Sequence, residues 1–148
     1  MKSITIYQPF ASFIIAGEKQ YETRAWKTDY RGPLAIHAGK MQFDPKQEEY
    51  RFFESLLEVS KLWPQRLNEL PRGCVIGIVT LVDCHKIDRV FVEQLSERER
   101  ITGDFSIGRY AWELSVIKVL REPIPARGEV GLWTWRAPWE QKEKTVIG

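Results

Sequence analysis

Nine consecutive residues, CVIGIVTLV from Cys74 to Val82, are apolar or β-branched apart from one glycine, Gly77. A strand with one face in water alternates apolar and polar residues. A run without alternation reads as a strand buried on both faces. The rest of the chain must then supply a layer on each side of it. Gly77 inside the run predicts a bulge or a close neighbour. Cys74 and Cys84 flank this strand, about 30 Å apart if it is straight, at about 3.3 Å per residue. A disulfide needs Cα atoms within about 7 Å. Both are therefore expected as free thiols in a reducing compartment, which predicts a cytoplasmic location.

Other segments can form those layers. SITIYQ (3–8) is β-branched and aromatic and reads as a strand. Pro9 then opens a helical stretch, FASFIIAGEK, with Phe10, Phe13 and Ile14 on one face. Gly17 is placed to end that helix in the left-handed conformation. YETRAW (21–26) alternates with the period of a strand. KTDYRG reads as a turn, and PLAIHAG (33–39) as a strand, so 21–39 is expected as a hairpin-like unit. Asp44-Pro45 is a helix start. Tyr50, Phe53, Leu56 and Leu57 follow at helical spacing, and a second short helix is expected from Pro64. FVEQLSERERI is helical in pattern. RYAWELSVIKVL (109–120) reads as a long strand and LWTW (132–135) as a last one.

A chain of 148 residues with 43% hydrophobic residues suits one domain, expected over 1–136, with a polar tail at 137–148. The pattern of strands with helices between some of them predicts an α+β fold. No stretch approaches the roughly 20 apolar residues of a membrane span, and the N-terminal residues lack a signal-peptide pattern. Neither a metal-ligand constellation nor a phosphate-binding glycine loop is present, so no cofactor is expected. Cys84 and His85 are adjacent on a strand and point to opposite faces, which disfavours a Cys/His nucleophile pair.

The net charge of +2 is small, but the charges are uneven. Lys19, Arg24, Lys27, Arg31 and Lys40 outnumber the acids of segment 17–40. Five acids outnumber two bases in 44–59. A basic face carrying aromatics can bind a polyanion despite a modest net charge. An ordinary solvated surface with uneven charge explains the same pattern. Within GEKQYETRAW (17–26), Glu22, Arg24 and Trp26 share one strand face, with Lys19 just upstream. Such a group can hold an anion, act as an acid/base pair or form an internal salt-bridge network.

The octapeptide Gly17-Glu18-Lys19-Gln20-Tyr21-Glu22-Thr23-Arg24 resembles the G-x-K-x-x-E-x-R signature of the ASCH domain family. YQPFASFIIAGEKQYETRAWKTDYRGPLAIHAGK, GCVIGIVTLVDC, YAWEL and PIPARGEVGLW resemble further segments of that family in the same order. The resemblance covers roughly residues 3 to 135. It implies a PUA-like fold, a small mixed β-barrel of about five to six strands with surrounding helices. It also implies a basic, aromatic-lined cleft beside the first helix that binds RNA or a nucleotide. Arg24, Lys27 and Arg31 would then meet phosphates, and Trp26 or Trp112 would stack a base. Packing in the core is the other role open to the two tryptophans.

Some family members are amidohydrolases acting on N-acetylated cytidine, and at least one is described as a ribonuclease. By that resemblance the alternative function is a small hydrolase with Lys19 and Glu22 as catalytic residues. Glu22 stands where the amidohydrolase subgroup carries Thr, which speaks against that activity. Glu97 and Glu99 are possible counterparts of its downstream Glu. A third reading is a protein-interaction domain using the acidic 44–59 helix.

Overall fold

The computed structural model describes residues 1–140. In chain order its elements are β1 (Lys2–Ile6), α1 (Phe10–Ile15), β2 (Tyr21–Arg24), β3 (Gly32–Ala38), α2 (Glu48–Glu58), β4 (Cys74–Lys86), α3 (Arg89–Glu93), α4 (Glu97–Ile101), β5 (Tyr110–Pro125) and β6 (Trp133–Thr134). The apolar run is the first part of β4, and it sits inside a six-stranded sheet of order β2-β5-β4-β3-β1-β6. β1 and β3 are parallel, and the other pairs are antiparallel. The expected α+β class holds.

Both faces of β4 are covered, as its sequence demands. Ile76, Val79 and Leu81 pack with Ile4, Ile6, Leu34, Ile36, Trp112 and the α1 residues Ala11, Ile14 and Ile15. Val75 and Ile78 pack on the other side with Ala35, Trp133, Trp135 and Ala137. Gly77 lies at a register shift, and a Cβ there would come within 2.6 Å of Ile15 Cδ1 and 2.9 Å of the Lys118 carbonyl. The glycine lets α1 seat directly on the sheet. Gln8 fixes the start of that helix: its Oε1 accepts the Ser12 N–H, and its Nε2 donates to Pro71 O. Gly17, at φ +78°, ends it as expected. The two cysteines are free thiols.

The sheet departs from the sequence reading in two respects. First, 21–39 is not a hairpin: β2 pairs with β5, and β3 pairs with β1 and β4. Thr28 shapes the intervening loop, with its Oγ1 accepting the Tyr30 N–H and its carbonyl accepting from Arg31 Nη1. Second, no backbone ladder among the described residues closes the sheet into a barrel. β2 and β6 remain edges. The sheet nevertheless curls far enough that Arg24, on β2, donates from Nη2 to the carbonyl of Thr5, on β1, at 2.8 Å. A side chain spans the seam that a closed barrel would bridge with backbone.

Smaller differences follow the same physics. Asp44 does not cap α2; its carboxylate accepts the Lys46 N–H in a turn, and the helix begins four residues later. From Pro64 only a 3-10 turn forms, Leu67–Glu69. The stretch after β4 forms two short helices, capped by Asp88 and Ser96. Of the expected tail, Ala137 is buried and Trp139 packs edge-on against Trp135. Residues 141–148 lie outside the described residues.

Candidate ligand cleft at the open seam

The seam opens into a cleft of roughly 760 Å³. One wall is β2, with Glu22, Thr23 and Arg24, and Arg109 just before β5. The other is the carboxyl end of the parallel pair β1/β3, with Thr5, Tyr7, His37, Gly39 and Lys40. A strap from Arg127 to Gly131 borders both. Ligands of open sheets commonly bind beyond the carboxyl ends of parallel strands, where backbone groups and loops converge.

Charge in the cleft is mostly positive. Arg24 is held by Glu22 Oε2, at 3.0 Å from Nε and 2.9 Å from Nη2. Its Nη2 also donates to Thr5 O, which leaves Nη1 without a partner among the described residues. Arg109 donates to Asp104 O and Thr23 O and lies 3.4 Å from the Asp104 carboxylate, so its charge is partly balanced. Lys40 and Arg127 make no hydrogen bond or ion pair to the described residues and present whole charges to a ligand. Tyr7 is 53% exposed, and its ring lies against Gly39, where a Cβ would come within 2.9 Å of Cδ1. Burial pushes the Glu22 carboxyl above the usual carboxylate range, against the opposing charges of Arg24 and Lys19. Glu22 therefore takes up a proton more readily than an exposed glutamate.

The residues singled out in the sequence divide between this cleft and other places. Glu22 and Arg24 are in it. Lys19 is not: its Nζ is buried, 2.7 Å from Glu99 Oε2 and 3.4 Å from Thr102 Oγ1, over the Phe105 ring. Glu99 also accepts the Gln20 N–H at 2.6 Å. The motif lysine thus ties α4 to the start of β2 and does not line this cleft. Trp112 is fully buried and offers no face for stacking. Trp26 is half-exposed and packs edge-on against Trp112, outside the cleft lining. Lys27 and Arg31 also lie outside it, 3.8 Å and 3.3 Å from Asp29 and Asp83. Tyr7, His37, Lys40, Arg109 and Arg127 line the cleft in place of those four. Tyr7 sits in the same strand segment as the quoted SITIYQ, and His37 and Lys40 in the quoted IHAGK. Arg109 and Arg127 reach the cleft only through the course of β5 and the strap, which no local pattern announces.

The profile of the family described as the ASCH domain matches residues 4–124, most of the chain. The chain belongs to the ASCH domain family. This ASCH domain is 34% identical over 82 residues to activating signal cointegrator 1 of Homo sapiens, and 35% identical over 82 residues to the Mus musculus protein of the same name. Each match covers 55% of this chain and 14% of the longer relative. Its fold is similar to the crystal structure of ASCH from Zymomonas mobilis, at a TM-score of 0.56 and 16% identity. That likeness covers 99% of this chain and 94% of the other. No helix among the described residues is long and apolar enough to cross a membrane.

Proposed function

We propose that this ASCH domain binds a single-stranded RNA segment or a nucleotide in the open seam of its sheet. One observation carries the reading: Lys40, Arg109 and Arg127 converge with the exposed ring of Tyr7 on one cleft. Cations that track phosphates, beside an aromatic that stacks a base, are the usual equipment for unpaired nucleic acid. Glu22 and Arg24 at the floor add an acceptor and a donor side by side. That suits a base edge, because the carboxylate repels phosphate while the pair complements adjacent donor and acceptor atoms. The ASCH family's general association with RNA favours the same ligand class.

The alternative, a hydrolase run by Lys19 and Glu22, has less support. A lysine acting as base must be partly neutral and must reach the substrate. Lys19 is paired with a carboxylate and turned away from the cleft.

Fluorescence anisotropy with a labelled single-stranded RNA at low salt tests the proposal. Loss of the Tyr7 ring in Tyr7→Ala is expected to cost about 1–3 kcal/mol of binding. Wild-type affinity in both Tyr7→Ala and Arg127→Gln would remove the cleft from consideration.

A further inference from the structure

We propose that Thr5 and His37 form a nucleophile–base pair that hydrolyses a carboxylic ester carried by the anionic ligand of the cleft. The substrate half rests on the reading of the cleft as an anion site. The pair itself stands on separate observations.

Thr5 and His37 are register partners on β1 and β3, and both line the cleft. Thr5 Oγ1 is 3.1 Å from His37 Nδ1, and His37 Nε2 is 2.7 Å from Ala126 O. A carbonyl only accepts, so Nε2 carries a proton. In the neutral ring Nδ1 then has a lone pair, and the Thr5 hydroxyl donates to it. Trp133 Nε1 donates to Thr5 Oγ1 at 3.3 Å, which turns the hydroxyl proton away from the indole, and of the two acceptors left the imidazole at 3.1 Å is nearer than the Glu129 carbonyl at 3.5 Å. Nucleophile, base and orienting group are thus connected in sequence, the arrangement that activates a hydroxyl. The imidazole is almost fully buried, and the Trp133 ring stands edge-on to it at 5.5 Å. Gly128 keeps the place open. A Cβ there would come 2.7 Å from Thr5 Oγ1 and 2.8 Å from His37 Nδ1.

In the reaction, Thr5 Oγ1 bonds to the acyl carbon and its proton passes to Nδ1. The ester C–O bond breaks, and Nδ1 returns the proton to the departing alkoxide. Water then attacks the acyl-threonine: Nδ1 takes its proton, the Thr5–acyl bond breaks, and the proton returns to Oγ1. The orienting group is a neutral carbonyl rather than a carboxylate, so it stabilises the imidazolium less. That restricts the pair to an ester, whose alkoxide leaves more readily than an amine. The cations around it select an ester that also carries a phosphate, such as a nucleotide acylated on its ribose.

The test uses two probes. With p-nitrophenyl acetate, a neutral ester, the wild-type protein is expected to release a burst of nitrophenolate and to carry acetyl on the peptide containing Thr5 after acid quench. Thr5→Ser keeps both. Thr5→Val and His37→Gln lose about a hundredfold or more of the rate. Acetyl found only on lysines, or a Thr5→Val rate equal to wild type, overturns the pair. Peptide mapping of the wild type and of Thr5→Ser decides this even where Thr5→Val fails to fold. The second probe compares ribose-acetylated adenosine with its monophosphate. The phosphate is expected to raise kcat/KM about tenfold or more through charged hydrogen bonds. Equal values overturn the anionic-ester half and leave the pair standing. RNA binding without acetylation overturns the pair and leaves the cleft reading standing.

Discussion

Lys19 and Glu99 are eighty positions apart in the chain and 2.7 Å apart in the fold, both buried. Removing the ammonium alone leaves a buried carboxylate without its partner, which typically costs about 3–5 kcal/mol. Lys19→Met is therefore expected to lower the urea midpoint strongly. Adding Glu99→Gln removes the stranded charge and keeps an amide oxygen for the Gln20 N–H. The double variant is expected to be more stable than Lys19→Met, a coupling that urea denaturation of all four proteins measures. A double variant no more stable than Lys19→Met would show that the ion pair is not what holds α4 to β2. The sequence marks Lys19 through its motif and leaves Glu99 as one of two candidates, because sequence distance carries no signal of spatial pairing. Trp112 shows the opposite limit. The alternation of β5 places it on a face, but only tertiary packing decides that this face is core rather than cleft.

Among the elements, α2 is fastened to the domain at a few points. Phe53 and Leu57 pack against Phe13, Leu67 and Leu70, and Glu54 accepts from Arg66 Nε at 2.9 Å and from the Leu67 N–H. Burial pushes the Glu54 carboxyl up, but hydrogen bonds from Arg66, Tyr50 and Leu67 outweigh it and bring it below the usual carboxylate range. A carboxyl lowered in the folded state contributes stability that is present above its unfolded pKa and is lost as pH falls through its folded value. Wild type is thus expected to exceed Glu54→Gln in stability at neutral pH, with the gap closing in acid below that folded value. Amide hydrogen exchange of α2 across a pH series reads this locally, and a gap independent of pH would contradict it. Elements of this kind were legible as periodicity: β4, β5, α1 and the body of α2 follow their apolar spacing. Their partners were not. β2 could have turned back on β3, but β5 runs sixteen residues and offers it a ladder from Tyr110 to Glu113. Strand pairing is settled by such long-range competition, on which a local turn sequence is silent.

For the molecule as a whole, a net charge of +2 from 22 basic and 20 acidic residues gives little general attraction for a polyanion. Any nucleic-acid affinity must come from where the cations stand, and the salt dependence of binding tests that directly. Each phosphate neutralised on a single strand adds about 0.7 to the slope of log K against log salt. Arg109→Gln and Arg127→Gln are each expected to lower the slope by about that amount and to weaken binding most at low salt. Lys27→Gln and Arg31→Gln remove charge of the same sign and size from the same small domain. Those two cations lie outside the cleft, so the slope is expected to stay at its wild-type value. Anisotropy titrations over a salt series separate the two pairs. Equal slope changes in all four variants would mean that the ligand follows the diffuse positive charge of the domain, and a change confined to Lys27 and Arg31 would return it to the segment 17–40 that the sequence alone suggested. A change confined to Arg109 and Arg127 would place it in the seam, where the curl of the sheet brings β5 and the strap against β1 without closing the barrel.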